Sequence, residues 1–268
     1  MKSNVIAYIL LVVVSLASGC TCPSRTLPST LVAETRQGYL QPAAIPDSLA
    51  LIPPPPAPGS AAQMLDDETN RKSLALRGTP RWALAARDAI LDFPEAAGTF
   101  SCALNAPVTE QETPRLYMLL LKTRNDAGHS TGKAKDHYRR MRPFVVNKEP
   151  SCTPDAEKFL VSNGSYPSGH AAIGWAWALV LSEVAPDRTD ALLARGLAFG
   201  ESRVVCNVHW ESDVAEGQVM GAGTVARLHA DPVFRADVEA AKEELAAVRA
   251  KGFNPQRDCA AEVAAMER

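Results

Sequence analysis

Ala171–Leu181 reads AAIGWAWALVL, a run that is apolar nearly all round. A helix without a polar face is buried at the centre of a fold rather than laid on its surface. The run is too short to cross a bilayer, which takes about 20 apolar residues. Outward from it, and from Gly59 onward, apolar residues recur at helical intervals while strand-like alternation is scarce. Helices are expected at 61–77, 80–92, 113–127, 131–139, 169–184, 187–200, 207–228 and 232–251. Breakers fall between them: Gly78-Thr79-Pro80, Pro94, Pro143, Pro167, Pro186 and Pro232. The expected fold class is all-α, a compact helical bundle built around 171–181.

Upstream the composition changes. Leu51–Gly59 (LIPPPPAPG) cannot be helix or central strand, because proline lacks the N–H and fixes its backbone angle. Residues 20–60 are expected to form a proline-rich arm or linker ahead of a domain spanning 61–268, and Leu51-Ile52 favours an arm that packs. Residues 1–19 read as an export signal: Lys2, the apolar run Val5–Leu16, then the small residues Ala17, Ser18 and Gly19. Two processing routes stay open. Cleavage after Gly19 frees a soluble periplasmic protein. Alternatively, Ala-Ser-Gly-Cys resembles the bacterial lipoprotein box, which would put lipid on Cys20 and make that the sole membrane attachment. Six cysteines suit an oxidising compartment. Cys102, Cys152, Cys206 and Cys259 lie in the body and allow three pairings. Cys102–Cys152 with Cys206–Cys259 is the favoured set, and a buried free thiol is the alternative for Cys206. A formal net charge of -2 gives no support to a nucleic-acid partner.

Three blocks carry chemistry: Lys135–Pro143 (KDHYRRMRP), Pro167–His170 (PSGH) and Ser202–Asp213 (SRVVCNVHWESD). In the second, Ser168 is a natural N-cap for the central helix, and Gly169 lets a ligand approach the backbone. The first N–H groups of that helix favour an anion, with His170 at the rim as a proton donor. In the third, His209 and Asp213 are four apart and would share a helix face, where a carboxylate on one ring nitrogen makes the other more nucleophilic. Gly217 and Gly221 would let this helix lie close to a neighbour. Lys135, Arg142 and Arg203 would balance a phosphate dianion, the arginines as forks and the lysine as a point charge. Arg139 and Arg140 read as solvated, and Asp66-Asp67-Glu68 as charges favouring a helix start. His129, His137 and His229 have no comparable setting. No metal-ligand spacing is present and no cofactor is expected.

The combination resembles the three-part signature of the type 2 phosphatidic-acid phosphatase and vanadium haloperoxidase superfamily. It is most similar to the bacterial class A nonspecific acid phosphatases, with SNGSYPSGH at 162–170 and SRVVCNVHWESDV at 202–214 reading like that branch. The similarity covers roughly residues 37–260. It implies His209 as the nucleophile of a phosphohistidine mechanism, Asp213 as its orienting partner, and His170 as general acid and then base. Lys135, Arg142, Arg203 and the backbone of Ser168 and Gly169 would bind phosphate. It further implies an all-α core, often dimeric, acting on small phosphate monoesters without a metal. A vanadate-dependent haloperoxidase and a lipid-phosphate phosphatase are the alternative activities for the same residues.

Overall fold

The computed structural model describes residues 37–252, 254–255 and 257–267; the expected signal segment and Cys20 lie outside them. In chain order the helices are α1 Ser48–Leu51, α2 Ala61–Ser73, α3 Pro80–Arg87, α4 Ser101–Leu104, α5 Pro114–Ser130, α6 Gly132–Tyr138 and α7 Pro143–Asn147. Then follow α8 Glu157–Ser162, α9 Gly169–Val184, α10 Thr189–Val205, α11 Glu211–Leu228, α12 Pro232–Ala250 and α13 Cys259–Met266. No strand occurs among the described residues, and the fold is all-α.

Local chemistry sets the helix starts. Ser60, Thr79, Ser168, Asp231 and Asp258 each accept a first-turn backbone N–H, and Pro80 and Pro232 occupy the first turn, where no N–H is needed. α9 is the central helix. It packs against α5, α10, α11 and α12, and Trp177 within it is fully buried with its indole N–H on the Leu120 carbonyl, 2.9 Å away. Phe100, Phe199 and Phe93 surround that indole edge-on or tilted.

Gly217 and Gly221 allow α11 to lie directly on α9. A Cβ at either position would fall onto a backbone carbonyl, that of Ser168 or of Ala172. The contact matters because Ser168 and Asp213 sit at its end.

The arm packs along its described length. Leu40 and Ile52 are buried, the Asp126 carboxylate accepts the N–H groups of Tyr39 and Leu40, and the Tyr166 hydroxyl donates to the Pro53 carbonyl. The arm is less extended than expected, since a 3₁₀ turn at Pro42–Ala44 and helix α1 interrupt it.

The expected disulfides are corrected. Cys102 pairs with Cys259 and Cys152 with Cys206, with Cα–Cα separations of 5.4 and 4.7 Å. The chain after α12 folds back so that α13 lies on α3, which brings Cys259 to α4. Cys152 meets Cys206 because its N–H bonds the Cys206 carbonyl. The free-thiol alternative for Cys206 goes with the same finding.

Candidate active site

The site lies where α6, the turn before α9, and the α10–α11 connection meet. Contrary to the helix expected over 207–228, His209 lies in the connection, because α11 begins only at Glu211. Asn207 makes that possible. Its φ of 63° is left-handed, a conformation asparagine tolerates better than most residues. Its fully buried side chain bonds Asn70, Asn147 and the Glu149 carbonyl. The chain therefore doubles back, and the N–H groups of Val208 and His209 both bond the Arg203 carbonyl at 3.2 Å. Arg203 and His209 are thereby brought side by side, and the Cys152–Cys206 bridge pins the same bend.

The tautomer of His209 follows from its neighbours. Asp213 Oδ2 lies 3.3 Å from Nδ1, and a carboxylate accepts, so Nδ1 carries the hydrogen. Arg142 donates toward Nε2 at 3.0 Å, so Nε2 presents its lone pair. Asp213 sits in the first turn of α11 and also accepts the Trp210 N–H at 2.9 Å. It is fully buried, and burial raises its pKa despite the nearby Arg140 charge and the Trp210 N–H. Burial, then the charges of Arg142, Lys135 and Arg203, push His209 well below the usual histidine range.

Arg142 is almost completely buried and bonds the carbonyls of Leu160, Asn163 and Val208. Lys135 donates to the Gly164 carbonyl at 2.9 Å, and burial followed by the Arg142 charge lowers its pKa to about 7. Arg203 differs from both. It is 2% exposed, yet its Nε and one terminal nitrogen have no partner. A buried guanidinium with unpartnered N–H groups is suited to receive an anion.

His170 donates from Nε2 to the Ala89 carbonyl at 3.0 Å, so Nδ1 is the nitrogen that gains and loses a proton. Its ring stacks on Phe199. Burial, then the Arg203 charge, hold its pKa well below 6.5. Ser168 caps α9 through its oxygen, but its N–H is taken by the Asp213 carbonyl at 2.8 Å. That differs from the expected backbone contact to phosphate and leaves the Ser168 hydroxyl hydrogen and the first-turn N–H groups after it. Gly169 faces Lys135: a Cβ there would come within 3.9 Å of the lysine Cε.

Two readings of the sequence are corrected here. Arg140 is not solvated but donates to Asp213 at 2.7 Å and to Asp66 at 2.8 Å. Asp66 does not serve the start of its own helix. It is buried in mid-α2 and accepts the Ser212 N–H at 2.8 Å. Sequence reasoning also missed Ala89, Asn207 and the 163–165 turn carbonyls, which act through backbone or remote contacts. The Asn163-Gly164-Ser165 turn immediately ahead of PSGH was the available signal for the last. Among the described residues no group of three or more His, Cys, Asp or Glu could hold a metal ion. No described helix is long and apolar enough to cross a membrane.

An all-α bundle with buried cations gathered around two histidines defines a class of phosphoryl-binding site, and comparison with known proteins agrees with it. Residues 116–235 match the PAP2 superfamily. The chain is 43% identical over 212 residues to the non-specific acid phosphatase of Providencia stuartii, covering 79% of this chain and 86% of that protein. It is 40% identical to an acid phosphatase of Zymomonas mobilis, covering 78% and 79%, and 41% identical to the non-specific acid phosphatase of Salmonella typhimurium, covering 80% and 86%. The chain belongs to the PAP2 superfamily and, within it, to the bacterial non-specific acid phosphatases.

Proposed function

We propose that the protein is an exported acid phosphatase that hydrolyses small phosphate monoesters through a phosphohistidine on His209, without a metal ion. The observation that carries this reading is the double constraint on one buried ring: Asp213 on Nδ1, and the Arg142 guanidinium directing the Nε2 lone pair. The bound phosphate draws the Arg142 guanidinium off Nε2, whose freed lone pair attacks phosphorus as the ester P–O bond breaks. His170, protonated at Nδ1, hands that proton to the departing alcohol. The now neutral His170 then takes a proton from water, which attacks the phosphohistidine and releases inorganic phosphate. Lys135, Arg142 and Arg203 meet the charge on the equatorial oxygens, and the unpartnered nitrogens of Arg203 give that charge a contact already desolvated.

Two disulfides support an oxidising compartment, and the segment 1–19 supplies the route to it. N-terminal sequencing and the mass of the mature protein separate cleavage after Gly19 from lipid on Cys20. The test of the activity is a panel of phosphate esters assayed across pH with and without EDTA, on the native protein and on His209→Ala. Turnover of several monoesters that survives EDTA and vanishes in the variant is expected. Loss with EDTA, or turnover by His209→Ala, would overturn the reading.

A further inference from the structure

Asp213 is fully buried, and several charged or titratable groups face it. Lys135 approaches from α6 and Tyr166 from the turn before α9. His209 and the Trp210 N–H come from the connection ahead of α11, and Arg140 and Arg142 from the segment after α6. Lys135 and Arg142 are tied to carbonyls of the 160–165 turn, and the proposed function assigns both to the phosphate. Their hydrogen bonds go to backbone carbonyls and to His209, so they act on Asp213 by charge alone. Arg140 is placed differently. One terminal nitrogen donates to Asp213 Oδ1 at 2.7 Å and to the Ser212 hydroxyl at 2.8 Å. The other donates to Asp66 Oδ2 at 2.8 Å and to Gln63 at 2.7 Å, both on α2. The guanidinium lies over the Trp210 ring, 5.3 Å from its centroid, and its side chain is 10% exposed. Asp66 in turn accepts the Ser212 N–H, so it locks the first turn of α11 as well as the arginine.

We propose that Arg140, gripped by Asp66, is a positioning residue that holds Asp213 in place as a carboxylate behind His209. The fork bridges two buried carboxylates from two helices, which fixes its geometry in a way a lysine point charge would not. α2 thus reaches the reaction through Asp66, Arg140 and Asp213 without touching substrate. The inference rests on the nucleophilic role given to His209 above. Burial favours the protonated form of Asp213 and the Arg140 charge opposes it. Removing Arg140 therefore raises the pH at which Asp213 takes up its proton and lets go of the His209 Nδ1–H.

The test uses Arg140→Gln, Arg140→Lys, Asp66→Asn and Asp213→Asn of the full chain. Each is assayed for p-nitrophenyl phosphate hydrolysis across pH, with inorganic phosphate as competitive inhibitor. Outer partners that orient a reacting ligand typically cost about 10–100-fold when removed, as at metal sites, and a drop of that size in kcat is expected for Arg140→Gln. KM and phosphate inhibition should stay within roughly threefold, since no ground-state phosphate contact is lost. The acid limb should move to higher pH, with Arg140→Lys and Asp66→Asn falling in between. Arg140→Gln combined with Asp213→Asn should be no slower than Asp213→Asn alone, as for residues acting through one another. Losses that multiply in the double variant, an acid limb that stays put, or a rise in KM at constant kcat would each overturn the proposal. If Arg140→Gln does not fold by circular dichroism, the acid limbs of Arg140→Lys and Asp66→Asn decide, and an unmoved limb in both overturns it. His209→Ala keeps the two failures apart: its retained turnover would refute the nucleophile, whereas an inactive His209→Ala with unmoved limbs refutes only the role of Arg140.

Discussion

In the proposed mechanism His170 carries the pH dependence of the chemistry. Its pKa is depressed by burial and then by Arg203, so the proton needed for the leaving group is held only in acid. A bound phosphate anion beside it raises that pKa. The pH–rate profile should therefore show kcat/KM falling, as pH rises, before kcat does, because the first reports the free protein and the second the complex. General acid catalysis is worth about 10²–10⁴ in rate, and His170→Ala should lose least with p-nitrophenol as leaving group. Equal loss for alkyl and nitrophenyl esters would contradict the assignment. Lys135, lowered to about 7, is charged below that pH and loses its proton above it, so inhibition by inorganic phosphate should weaken as pH rises through 7. The same residues set a stability trend. A histidine whose folded pKa lies below its unfolded value of about 6.5 leaves the unfolded chain binding more protons, so His170 and His209 favour folding above that pH and oppose it as pH falls below. Thermal melts from pH 7.5 to 5 should show a falling Tm that phosphate partly restores. At this scale the sequence picked out His209, His170, Lys135, Arg142 and Arg203, residues whose own chemistry marks them and which the fold brings together. It was not legible for Arg140 and Asp66, whose charges look like those of any solvated helix until the fold buries them together.

At the scale of elements, the α10–α11 bend is the part on which the site depends most. Asn207 combines a left-handed φ with buried bonds to Asn70, Asn147 and Glu149. Asn207→Ala keeps the strain and leaves buried groups unpaired, so a loss of about 2–4 kcal/mol in unfolding free energy is expected from denaturant titration. Asn207→Gly relieves the strain alone and should fall between. Gly217→Ala places a methyl on the Ser168 carbonyl and must push α11 off α9, which lowers both Tm and kcat. Helix periods, caps and prolines revealed α9 to the residue, Gly169–Val184 as expected. The boundary at 207 failed for a local reason: Cys206–Trp210 is apolar enough to continue a helix pattern, and only the Asn207 turn, held by residues far away in sequence, breaks it.

For the whole molecule, closure depends on the chain ends. The Cys102–Cys259 bridge ties α13 back to α4, and Glu262 on α13 pairs with the buried Arg195, which also holds Asp88. Asp88 precedes Ala89, the carbonyl under His170, and accepts the Ser202 hydroxyl next to Arg203. A disulfide enclosing a loop this long contributes about 4–5 kcal/mol in the chain-entropy model. Cys102→Ser with Cys259→Ser should lower Tm by several degrees and reduce kcat more than KM; an unchanged melt would show that the bridge adds nothing. The pairing could not be read from the chain, because it depends on how the segment after α12 folds back, and spacing carries no information on that.

The most direct test is rapid quenching of the protein with a labelled phosphate monoester, followed by peptide mapping under alkaline conditions that preserve phosphohistidine. One phosphoryl group on His209, absent from His209→Ala and accumulating most with nitrophenyl esters, is the predicted result. A phosphoryl group on any other residue, or full turnover with none trapped on His209 and hydrolysis intact in the variant, would contradict the account.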